Sequence, residues 1–136
     1  MRRHLFWWEA GGVLFVSAVG SLLHFVYEWS GGSVAAAILS AVNESTWEHM
    51  KLLLVPMLIY SVAQMCLMGA GWPNFLAVRA VSTLVGLGLI PVLFYTYSGV
   101  LGYHLGWGNI VVFFLAVLGA FVVDYRLLRR GRLSAP

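Results

Sequence analysis

Ionisable residues are scarce in this chain, and their spacing marks where chemistry would be done. Of 136 residues, five are acidic, four are histidine and eight are lysine or arginine. Two short runs gather most of the acids and imidazoles: His24-Phe25-Val26-Tyr27-Glu28-Trp29 and Asn43-Glu44-Ser45-Thr46-Trp47-Glu48-His49. His24 and Glu28 are four apart and share a face of a helix. The same holds for Glu44 and Glu48, with Ser45 and His49 on an adjacent face. Together His24, Glu28, Glu44, Glu48 and His49 supply three carboxylates and two imidazoles, a donor set suited to a divalent metal ion such as zinc, iron or manganese. Helix bundles build such sites from Glu and His on several helices. Carboxylates four apart also suit general acid–base work. Neither HExxH nor Glu-x-x-His spacing is present, so no standard metal signature adds to the inventory.

A plainer account covers part of this set. Ser45-x-x-Glu48 has the form of a capping box, which starts a helix by satisfying its free N–H groups. Acids near a helix N-terminus are also favoured by the macrodipole. Capping explains Ser45 and Glu48, and extends to Glu44, but leaves His49 and the His24–Glu28 pair unexplained. Lys51 fits an outer-face anchor or an ion-pair partner for Glu48 three residues earlier.

The face of His24 continues backward through Gly20 or Ser21, Ser17 and Val13 to Glu9. Such a stripe of small and polar residues is expected on a helix turned toward a bundle interior. Glu9 can pair with Arg2, Arg3 or Arg79 after modest snorkelling. The sharper alternative makes Glu9 or Glu28 a proton-titrating carboxylate of a small transporter. Asp124 and Arg126 are expected at the interface, and His104 is a single loop histidine on the same side as the two runs.

The elements that position these residues follow from composition. The chain is 61% apolar and 10% charged, with mean hydropathy +0.88. Soluble domains run near about 45–50% apolar and 25% charged. A domain of this size buries only about 70% of its unfolded surface, so the excess apolar area would face water. A soluble enzyme, a nucleic-acid binder and a disordered chain are excluded, and lipid is the expected solvent. A spanning helix needs about 20 mostly apolar residues. Residues 5–27, 52–70, 75–96 and 105–125 meet that need, giving an all-α, polytopic four-helix membrane protein as one domain over 1–136. Residues 33–42 are too few to cross and predict a short interfacial or re-entrant helix. Gly69, Gly71, Trp72 and Pro73 predict a tight turn. Pro56 and Pro91 predict kinks. Gly86-x-Gly88 fits helix packing, because no strand precedes it. Trp7, Trp8, Trp29, Trp72 and Trp107 fit interface anchors, and Cys66 has no second cysteine with which to pair.

Basic residues set the orientation. Arg2, Arg3, Arg79, Arg126, Arg129, Arg130 and Arg132 fall on one side and Lys51 on the other, so both termini are expected in the cytoplasm. This also explains the basic pI of 9.4 without nucleic acid. The first apolar run is long for a secretory signal, so a retained helix is expected.

The segments His24-Phe25-Val26-Tyr27-Glu28-Trp29-Ser30-Gly31 and Ala41-Val42-Asn43-Glu44-Ser45-Thr46-Trp47-Glu48-His49-Met50-Lys51 resemble a family of small bacterial integral-membrane proteins of unknown function. Pro91-Val92-Leu93-Phe94-Tyr95-Thr96-Tyr97-Ser98-Gly99 is similar to a third segment of it. The resemblance implies a multi-pass protein of the plasma (inner) membrane, with the two polar runs acting as one unit, and carries no activity with it. Three functions compete: a Glu/His metal site near the outer face, used for ion passage or metal-dependent chemistry; a small proton-coupled transporter working as a homodimer; and a non-enzymatic accessory subunit of a larger membrane complex. Whether the chain is an enzyme stays open among them.

Overall fold

The computed structural model describes residues 2–68 and 72–133. It is all-helical, with α1 at Arg2–Trp29, α2 at Val34–Leu39, α3 at Thr46–Met68, α4 at Phe75–Leu101 and α5 at Gly106–Arg130. The helices α1, α3, α4 and α5 are each long and apolar enough to cross a membrane. They close a ring in which α1 packs on α3 and α5, and α4 packs on α3 and α5. Residues 2, 68, 75 and 130 therefore mark one end of the bundle, the end of the termini. Residues 29, 46, 101 and 106 mark the other.

Apart from Leu105, which precedes α5 in extended conformation, the four apolar windows fall within these helices as far as they are described, but the helix ends differ for reasons hydropathy does not register. The helix α3 starts at Thr46, not near 52, because Ser45 caps it: Glu48 N–H donates to Ser45 Oγ at 3.3 Å and His49 N–H to Ser45 O at 3.1 Å. His49 thus rides on the helix, while Glu44 stays in the preceding loop and shares no helix face with Glu48. At its far end α4 runs on to Leu101 and stops at Gly102, whose φ of 79° is the left-handed conformation that suits glycine. The helix α2 is shorter than 33–42. Ser33 Oγ accepts from Ala36 N–H to start it, and Ser40 donates its hydroxyl to Ala36 O at 2.6 Å, where it ends. Of the expected turn before α4, Gly69 and Gly71 lie outside the described residues. Trp72 O accepts from Phe75 N–H at 3.0 Å.

Polarity is distributed inside out. Leu14, Val62, Leu84, Val100 and Leu115 are exposed, whereas Glu9, Gln64, Arg79, Ser82 and Asp124 are buried. Between them a core of Val16, Leu53, Met57, Phe113, Val117 and Phe121 fills the middle of the ring. The inward line of α1 is Leu5, Glu9, Gly12, Val16 and Gly20. At Gly20 a Cβ would stand 2.5 Å from the Leu52 carbonyl oxygen and against the Phe113 ring; at Gly12 it would overlap the Phe121 and Tyr60 rings. Glycine at these two places lets α1 approach its neighbours closely. Tyr60 fixes the same contact by donating to Trp8 O at 2.6 Å. Trp8 therefore packs against the core and is not a free anchor, while Trp7, Trp29 and Trp107 are exposed as anchors must be.

Candidate functional site

Three of the five ligand candidates come together. His24 from α1, Glu44 from the loop before α3 and His49 from the first turn of α3 each place one ligand atom within 4.8 Å of the others. His24 Nε2 is 3.3 Å from Glu44 Oε1, and His49 Nε2 is 3.6 Å from Glu44 Oε2. Ligands held about 2.1 Å from a tetrahedral metal stand roughly 3.4 Å from one another, close to the two histidine–carboxylate distances. The rings of His24 and His49 lie 5.4 Å apart. His49 Nδ1 is 2.8 Å from Ser45 O. Since a carbonyl only accepts, Nδ1 carries the proton there, and Nε2 is the nitrogen turned toward Glu44. Orientation of an imidazole by a carbonyl on its other nitrogen is the usual support of a metal-binding histidine.

The other two candidates stand apart. Glu48 turns back along the chain: its Oε2 accepts from Val42 N–H at 3.0 Å and meets Lys51 Nζ at 2.6 Å. Lys51 also donates to Ala37 O at 2.8 Å, tying α2 to α3. Lys51 is thus the ion-pair partner, and Glu48 holds the loop that carries Glu44. Glu28 is exposed. Successive steps of four residues drift about 40° around a helix, so Glu28 lies about 100° away from the direction of Glu9. The same drift leaves Ser21 exposed, donating only to Ser17 O of its own helix.

The triad sits at the wall of a cavity of about 390 Å³ between α1, α3 and α5. Gly20, Phe25, Leu52, Ile110 and Phe113 make its surface mainly apolar, and Ser21 and Asn109 add two polar groups. Tyr97 donates its hydroxyl to Asn109 Oδ1, which leaves the Asn109 amide N–H groups for another acceptor. His24 Nδ1 is buried without a hydrogen-bond partner.

A second polar group, of which only Glu9 was anticipated as a site residue, lies at the other end. Arg79 in α4 is 4% exposed and Asp124 in α5 is fully buried. Arg79 Nη2 is 3.2 Å from Asp124 Oδ2 and 3.6 Å from Glu9 Oε1. It also donates to Gln64 Oε1 of α3, and Gln64 Nε2 donates to Glu9 Oε1 at 2.9 Å. Ser82 donates to Asp124 Oδ1 at 2.7 Å, and the guanidinium lies against the Phe75 and Phe121 rings. Asp124 is therefore not interfacial. Glu9 takes Arg79 as its partner among the three considered; the Arg2 and Arg3 side chains lie outside the described residues. The available signal was depth. Glu9, Gln64, Arg79 and Asp124 are each one to two turns from the same end of their helices, a level at which four polar residues must meet.

Fold and sites together define the class: an all-helical protein with four helices able to cross a membrane, apolar outside and polar at two levels within. The chain belongs to the family of unknown function DUF6512, which matches residues 2–132. Nothing among curated proteins or solved structures matches it.

Proposed function

We propose that this is a multi-pass membrane protein with a divalent-metal centre formed by His24, Glu44 and His49, serving metal-dependent chemistry on a substrate that carries an apolar chain. The observation behind this reading is the convergence of two imidazoles and one carboxylate at ligand spacing on the wall of an apolar cavity. Two histidines and a carboxylate suit zinc or iron(II), and three protein ligands leave a position open for water or substrate. A metal there would supply a polarised water or carbonyl. The protein supplies an apolar slot for the chain, with Asn109 and Ser21 beside the substrate's polar part. Ion passage is the weaker use of the centre. Toward the other end the path meets Val16, Leu53, Met57 and Val117, a layer that gives a permeating cation no ligand.

The Lys and Arg distribution supports an orientation with both termini cytoplasmic. With Arg79 committed to the interior the bias is six to one, and the centre then faces the outer side of the plasma membrane. The test is elemental analysis of purified protein dialysed against zinc, iron(II) or manganese, with helicity checked in each variant. One metal per chain is expected in the wild type. It should be lost in His49→Ala and Glu44→Gln and kept in Glu28→Gln and Glu48→Gln. Occupancy should fall in acid, as protons compete for the imidazoles. Folded wild type without stoichiometric metal, or His49→Ala retaining it, would overturn the proposal.

A further inference from the structure

The polar group at the terminal end is independent of the proposed metal centre, and its charges do not balance. Two carboxyl groups, Glu9 and Asp124, surround a single guanidinium, Arg79. Among the described residues the neighbours on the other elements add no cation: α3 contributes the Gln64 amide and the Tyr60 phenol, and α4 adds the Ser82 hydroxyl. Fully ionised, the group would hold one uncompensated negative charge where both acids are at least 95% buried, a costly state in a medium of low dielectric constant.

The hydrogen bonds locate what is missing. Glu9 Oε1 is satisfied by Gln64, and Asp124 Oδ1 by Ser82. The remaining oxygens, Glu9 Oε2 and Asp124 Oδ2, are buried and receive no hydrogen bond. Arg79 lies 3.2 Å from Asp124 Oδ2 without an N–H aligned on it. The two carboxyl groups are neighbours, since both lie on the same guanidinium nitrogen, Arg79 Nη2. A single added hydrogen turns one of these acceptor-only groups into a donor, able to serve a neighbouring ionised carboxylate, and it brings the net charge of the group to zero.

We propose that Glu9 and Asp124 together bind one exchangeable proton. Glu9 also lines a groove of about 440 Å³ between α1 and α5, walled by Phe6, Val13, Phe121 and Tyr125. Glu9 is thereby the member of the pair that reaches toward the surface, Asp124 being fully enclosed. A proton bound at this depth is what a relay or a proton-coupled transport step requires, so the pair carries the transporter reading of Glu9 with Asp124, not Glu28, as its second acid.

Infrared spectroscopy of the purified protein in detergent tests this directly. The wild type at neutral pH should show a protonated-carboxyl stretching band equivalent to one group per chain. The band should shift in D₂O and vanish as the solution is made alkaline. Glu9→Gln and Asp124→Asn should each abolish it, because the surviving acid then balances Arg79 one to one. Arg79→Lys, which keeps the charge count, should retain it. Circular dichroism and size-exclusion chromatography establish which variants fold. Should Asp124→Asn not fold, Glu9→Gln decides alone, since glutamine still accepts from Gln64. Absence of the band in folded wild type, its survival in Glu9→Gln, or its failure to shift in D₂O would overturn the proposal.

Discussion

The two polar regions use the same residue types to opposite ends. At the terminal end, Glu9, Gln64, Arg79, Ser82 and Asp124 come from all four long helices and are buried together. At the other end, Glu44 is 75% exposed on a loop, and two imidazoles meet it beside an open cavity. They are separated by fifteen residues on α1 (Glu9 to His24) and on α3 (His49 to Gln64), about 22 Å of helix. The first group is held from four directions and contributes to keeping the helices together. The second has two imidazoles, a carboxylate on a loop and room alongside, the openness that the proposed metal centre requires and that the closed group at the terminal end lacks.

Substitutions can break or sharpen that contrast. The largest effect is expected from Arg79→Ala, which leaves two buried acids without a cation. Breaking a buried pair by removing one partner costs about 3–5 kcal/mol, so thermal unfolding in detergent should show a large loss or no folded protein. Gly12→Ala comes next. Its methyl group meets the Phe121 and Tyr60 rings, and overpacking costs about 1–3 kcal/mol; the same melt should register it while metal stoichiometry in the surviving fold is unchanged. Glu48→Gln removes the charge facing Lys51 but keeps an acceptor for Val42 N–H, so a loss of about 1 kcal/mol is expected. Full metal occupancy in that variant would separate the loop brace from the ligands. The smallest effect belongs to Glu28→Ala, within about 0.5 kcal/mol of wild type as for most exposed substitutions. A larger change, or lost metal, would return Glu28 to the site.

Much of this was legible in the sequence, and the misses have definite causes. Spanning helices declare themselves because twenty apolar residues in a row have few other uses. Their ends do not, because a cap such as Ser45 is polar and lies outside any apolar window. That is why His49 appeared to precede a helix it belongs to. His24 and His49 were each marked out by a polar run, but their convergence was left open, because no spacing rule links two runs on different helices; Glu28 was drawn in by four-residue spacing carried too far around the helix. Asp124 was hidden by its company: with Arg126, Arg129 and Arg130 following it, it resembled the start of a charged tail. The matching depth of Gln64 and Arg79 was the signal that pointed inward.

Gly12 and Gly20 on α1 have a mechanical consequence. With the Phe121 ring seated over Gly12 and the Phe113 ring over Gly20, α1 is indexed against α5 like a keyed shaft, with one angular setting. Glu9 and His24 ride on that shaft at fixed bearings. A turn large enough to unseat either ring would withdraw both groups from their partners at once, so two chemically separate ends of the molecule share a single rotational lock.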